Sequence, residues 1–158
     1  MPLYVTLSSF FKKNTNLPLM PAFPVADSTC GLIVLTNDTE LIQKLTHSGK
    51  SVKNVFEIVL DKPITQEDLK AFNSAGGLGD STIKITGANY VNDGNHTCIG
   101  MEVWKGTDDD IVKILNSMGY HVKKIDRSFF GGLTKKDLKR GWSRHLTEKE
   151  VIFLKYFN

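Results

Sequence analysis

The stretch Ser81–Trp104, STIKITGANYVNDGNHTCIGMEVW, decides what kind of sheet this chain builds. On either side of Asn92–Asn95 apolar residues alternate with polar ones, the pattern of a strand with one buried face. The NDGN between them is a hairpin signal, because Asp-Gly and Gly-Asn tolerate positive φ. Two strands joined this tightly run antiparallel. Upstream the order is strand, helix, strand, helix, so the hairpin is where the texture changes.

Working outward, Leu32–Leu35 reads as a buried strand running into a helix capped by Asn37 or Asp38, with Leu41, Ile42 and Leu45 at helical intervals. NVFEIVL places Phe56, Ile58 and Leu60 on one face of a strand, and PITQEDLKAF is a helix with Thr65 and Asp68 in capping-box spacing. Downstream of the hairpin, TDDDIVKILNSMGY predicts a helix capped by Thr107 and stopped by Gly119, its three Asp explained by the positive first turn. HVKKIDRSF returns as a strand, and LTEKEVIFLKYF closes with a second capping box, Thr147 to Glu150. The expected class is α+β, with a mixed, largely antiparallel sheet and flanking helices. At 158 residues and 41% hydrophobic composition, one domain over residues 1–158 is the expectation. There is no internal repeat, and NTNLPLMP is an irregular segment rather than a boundary.

The formal charge of +3 announces no partner, but its distribution is uneven. From Gly119 onward there are ten basic and four acidic residues, which leaves the preceding part of the chain at −3. That asymmetry suits contact with a polyanion, and a solvated lysine-rich surface accounts for it equally well. Two cysteines, Cys30 and Cys98, in a chain of this size fit a reduced, cytoplasmic protein. No apolar run approaches the roughly 20 residues a membrane span needs, and MPLYVTLSSFFKKN lacks the marks of a signal peptide. The expectation is a cytoplasmic monomer with no membrane partner, no metal and no cofactor.

Several pairs that look chemical have simpler readings. His96 and Cys98 at strand spacing supply only half a tetrahedral metal shell. SAGGLGD does not follow a strand and open a helix, so it is no phosphate cradle. Cys30 with His47 could be nucleophile and base, but a cysteine is more often a small buried hydrophobe. Asp108, Asp109 and Asp110 point in three directions on a helix, which is no metal cluster.

Read in order, LKRGWSRHLTEKE, MGYHVKKIDR and FEIVLDKPIT resemble stretches of one family, the RsuA/RluF-like pseudouridine synthases that isomerise uridine in ribosomal RNA. The first matches the family's L-x-x-G…R-x-L-T-x-x-E ending through Gly141, Arg144, Leu146, Thr147 and Glu150. The likeness covers the chain from Pro21 onward, and the expectation is a single domain without the small amino-terminal RNA-binding module such proteins usually carry. PAFPVADSTCGLIVLTND, Pro21–Asp38, is similar to the family's nucleophile loop, P-x-G-R-L-D-x-D-[ST]-x-G-L-x-x-L-T-N. In that register the family's arginine falls on Pro24, its catalytic aspartate on Ala26 and its hydroxyl residue on Thr29. Asp27 stands one place late, and in an extended loop one place turns a side chain to the opposite face.

The other family sites have changed as well. The tyrosine expected against the target base falls on Phe56, and the two arginines of the basic helix start fall on Asp109 and Val112, leaving only Lys113 basic. The family's chemistry needs a carboxylate held ionised by an arginine. The resemblance therefore implies a pseudoenzyme: a pseudouridine synthase-like domain that has lost isomerisation and at most binds RNA, ribosomal by the likeness. The alternatives are an active ribosomal RNA pseudouridine synthase using Asp27 in a rearranged loop, and a protein-interaction module on the same fold. For RNA, the expected phosphate contacts are Lys53, Lys113, Lys123, Lys124, Arg127, Arg140 and Arg144. Ala26, Phe56 and the start of the Asp108 helix are expected to line one cleft.

Overall fold

The computed structural model describes residues 19–156 apart from 24, 27, 48–51, 74–82 and 137. Among these the order is β1 (Met20–Pro21), β2 (Cys30–Gly31), β3 (Leu35–Thr36), α1 (Thr39–His47), β4 (Asn54–Leu60), α2 (Gln66–Asn73), β5 (Lys84–Tyr90), β6 (Cys98–Lys105), α3 (Asp108–Ser117), β7 (Val122–Phe130), β8 (Leu133–Thr134) and α4 (Glu148–Tyr156). The main sheet runs β2-β7-β4-β6-β5, with β8 folded back on β7, and β1 pairs with β3 in a separate ribbon. All its pairings are antiparallel except β2 with β7. This is the expected α+β class with a mixed sheet.

Alternation places the core. Phe56, Ile58 and Leu60 of β4 turn one way, as do Ile99, Met101 and Val103 of β6, and they pack with Leu69 and Phe72 of α2 and Ile111 and Leu115 of α3. A second cluster joins Leu32, Val34, Leu41, Leu45, Phe130, Leu133 and Leu154. Truncating a ring as buried as Phe72 would cost about 3–5 kcal/mol. At the outer strand, the Asn73 side chain donates to Ala88 O (2.8 Å) and accepts from Ala88 N (2.9 Å), so the end of α2 satisfies part of the β5 edge.

Two local expectations are corrected. Leu32–Leu35 is not one strand. Leu32 N still donates to Arg127 O (2.9 Å), but the chain then leaves β7 and Leu35 pairs with Pro21 instead, while Leu32 and Val34 stay buried. The apolar run reported burial correctly and continuity wrongly. The β5–β6 hairpin is present, yet Gly94 is not in the left-handed region, because its connection is wider than a tight turn. Val91 N donates to Cys98 O (3.1 Å), and Asn95 Oδ1 accepts from Thr97 N (3.1 Å). The capped helices form as read: Asp38 Oδ1 accepts from Leu41 N (3.1 Å), and Thr65 Oγ1 accepts from Asp68 N (3.2 Å). SAGGLGD lies outside the described residues.

Candidate active site

Gly106, at φ +109°, turns the chain out of β6, and a Cβ there would meet Ile83 Cγ1 at 2.7 Å. Thr107 then caps α3 through a reciprocal box: its hydroxyl accepts from Asp110 N (3.3 Å), and Asp110 Oδ2 accepts from Thr107 N (2.8 Å). The box leaves Asp108 at the first helical position with its side chain directed inward, only 3% exposed. Its Oδ2 accepts from the backbone N–H of Ala26 (2.8 Å) and from the hydroxyl of Thr29, and its Oδ1 accepts from Asp109 N (3.1 Å). One carboxylate thus holds Ala26 and Thr29 against the start of α3.

All three aspartates lie in the first turn of α3, as the macrodipole reading has it, and Asp108 is in addition a buried tertiary contact joining segments 82 residues apart. The spacing from Thr107 to Asp110 was the signal available in the sequence, since it fixes which aspartate occupies the first turn's inner position.

Beside this carboxylate lies Arg127. It was expected to contact phosphate at the surface, and that is corrected: it is 0% exposed. In β7, Ile125 and Arg127 both face inward, and Arg127 stands in register with Phe56 of β4 and Gly31 of β2. Its Nε donates to Leu32 O (2.9 Å), and its guanidinium lies 4.4 Å from the Phe130 ring centroid. The two terminal nitrogens have no hydrogen-bond partner among the described residues. Burial pushes its pKa down to about 10, and the field of Asp108 acts in the opposite sense. The site therefore has a cation, supplied by β7 rather than by the helix positions Asp109 and Val112.

Gly31 makes that approach possible. At φ +96°, a Cβ would sit 2.3 Å from Arg127 O. Phe56 is 1% exposed, a residue of the main core rather than an open ring lining a cleft. The side chains of Asp27 and His47 lie outside the described residues. Cys30 is half-buried in β2, and His96 stacks on Tyr90 with centroids 4.0 Å apart. A cavity of about 300 Å³ bounded by Val34, Asp38, Leu41, His145 and Lys155 lies elsewhere, touching neither Asp108 nor Arg127.

The remaining basic candidates are spread over several elements. Lys113 is on α3, Lys123 and Lys124 on β7 and Arg140 in the segment before α4, all exposed. Lys53 is engaged with Glu102 at 3.0 Å and lies 5.4 Å from the Phe129 centroid. Arg144 forms a two-pronged pair with Glu150, NH1 to Oε2 at 2.9 Å and NH2 to Oε1 at 2.8 Å. That pair drives the Glu150 carboxyl down to about 2, helped by the Thr147 N–H.

The fold is that of the pseudouridine synthases. A crystal structure of a pseudouridylate synthase superimposes with a TM-score of 0.69 over 86% of this chain and 59% of that one, at 19% identity. The dual-specificity RNA pseudouridine synthase RluF of Escherichia coli K12 is 30% identical over 143 residues, which cover 89% of this chain and 48% of RluF. An uncharacterised RNA pseudouridine synthase of Aquifex aeolicus VF5 is 26% identical over 136 residues, 84% of this chain and 55% of that protein. These likenesses support the RsuA/RluF-like family of RNA pseudouridine synthases for this chain, which spans about half the length of these curated relatives. No family model matches it.

Proposed function

We propose that this chain is a pseudouridine synthase-family pseudoenzyme: it binds RNA and does not isomerise uridine. The observation that carries the reading is the state of the carboxylate at the nucleophile loop. Ala26 brings none, and among the described residues the one carboxylate placed there, Asp108, is committed through both oxygens to three donors, Ala26 N, Thr29 Oγ1 and Asp109 N. A carboxylate that attacks a nucleotide needs a free lone pair and an open approach. Asp108, at 3% exposure, lacks the open approach, and three of its roughly four lone-pair sites are already filled. The buried ring of Phe56 and the enclosed Arg127 support the same reading, because neither can meet a base or a phosphate without opening the core. The retained fold and the basic character of the chain after Gly119 support a surviving affinity for RNA.

Isomerisation replaces the N1–C1′ bond of uridine by a C5–C1′ bond and expels the hydrogen from C5. Release of tritium from ribosomal RNA labelled at uridine C5 therefore measures it directly. The expected result is no release above background by the purified chain, with retention of the RNA in a binding assay. Tritium release that disappears in Asp27→Ala would establish the active-enzyme alternative with Asp27 as the nucleophile. Release abolished only by Asp108→Ala would show that the latched carboxylate can let go of its loop.

A further inference from the structure

Residues 138–147, between β8 and α4, form neither helix nor strand, yet they are not irregular in detail. Leu138 N donates to Lys135 O (3.0 Å), and Trp142 N donates to Lys139 O (3.0 Å). Gly141 takes φ +80° within the second of these turns, the position where a type II turn demands a positive φ. A Cβ on Gly141 would meet no atom within 4 Å, so the glycine serves the turn and not the packing. The turn presents Trp142 outward at 66% exposure. The Lys139 ammonium lies 5.4 Å from the indole centroid, which orients the ring while leaving most of it open.

An indole this exposed has a large apolar face and no cover among the described residues. Its surroundings decide what fits it. Residues 135–145 contain Lys135, Lys136, Lys139, Arg140 and Arg144 against the single acid Asp137. Lys135 and Arg144 are occupied by Asp126 and Glu150, while Lys136 and Arg140 are exposed beside the turn. A flat π surface set among cations matches a chain of stackable bases joined by phosphates.

We propose that Trp142 is a stacking platform for a base of single-stranded RNA, with Lys136, Lys139 and Arg140 taking the neighbouring phosphates. The proposal rests on the RNA-binding reading above and names the element that does the binding, a surface remote in sequence from the Ala26 loop.

The chain contains two tryptophans, Trp104 and Trp142, so in Trp104→Phe the emission reports Trp142 alone. Short single-stranded RNA is added to that variant, with anisotropy of a label on the RNA followed in parallel. The expected result is a rise in anisotropy accompanied by quenching of Trp142. Trp142→Ala should then weaken binding about tenfold, within the range for loss of one base stack, with most of the affinity restored by Trp142→Phe. The melting temperature of both variants should match the parent, since the side chain is exposed. A rise in anisotropy with no quenching and no loss in Trp142→Ala overturns the stacking role and leaves RNA binding standing. No rise at all removes the RNA-binding reading and this proposal with it.

Discussion

Replacing Asp108 with alanine should be among the most damaging single changes available in this chain, although the residue makes no salt bridge within 4 Å among the described contacts. Three donors lose their acceptor: Ala26 N, Thr29 Oγ1 and Asp109 N. Asp109 N is in the first turn of a helix and recovers water readily. Thr29 is 7% exposed and Ala26 is half-buried, so these two donors are left poorly solvated. An unsatisfied buried donor costs about 1–3 kcal/mol, which gives about 2–6 kcal/mol for the pair, toward the lower end because Ala26 is only half-buried. Arg127 also loses the one opposing charge whose field acts on its buried guanidinium. We expect a loss of about 3 kcal/mol, which at a urea m-value of about 2 kcal/mol/M lowers the unfolding midpoint by about 1.5 M. Asp108→Asn keeps one acceptor oxygen and should lose about half as much. The same measurement in an Arg127→Met background isolates the electrostatic part: Asp108→Ala should then be milder, with a coupling of about 1 kcal/mol. A midpoint for Asp108→Ala within about 0.25 M of the parent, the range of an ordinary surface change, would refute the latch.

Gly31→Ala should destabilise the chain by at least about 2 kcal/mol, read as a lower melting temperature, because φ +96° and a 2.3 Å approach of the new Cβ to Arg127 O both oppose it. A melting temperature equal to the parent's would show that β2 can leave β7 without consequence. Glu150 is held at about 2 in the folded chain, below its ordinary 4.5, first by the Arg144 pair and then by the Thr147 N–H. Its stabilisation of α4 is therefore complete above pH 4.5 and lost as pH falls toward 2, a contribution of under about 1 kcal/mol for a pair this exposed. In Arg144→Gln that segment of the acid-unfolding curve should flatten, and an unchanged curve would count against the pair.

Much of the architecture is written in local pattern. Thr107 with Asp110 and Thr147 with Glu150 announce two helix starts, because a capping box needs only residues three apart. The alternation in β4 and β6 likewise gives their buried faces, since side-chain direction in a strand has a fixed period of two. Where local pattern underdetermines the chain, the readings diverged. Leu32–Leu35 is apolar enough for a strand, but whether it stays on β7 depends on Pro21 competing for Leu35, with Met20 beside Thr36. Arg127 reads as a surface cation by residue type, and only its register between Gly31 and Phe56 buries it. Asp108 reads as one of three dipole-facing acids, and only the folding of Ala26 and Thr29 onto α3 gives its carboxylate two long-range donors. The sequence determined the longer elements and their caps, because these depend on neighbours a few residues away. The tertiary structure decided which charges are buried and what they hold, because burial and pairing depend on residues some 80 to 95 positions distant.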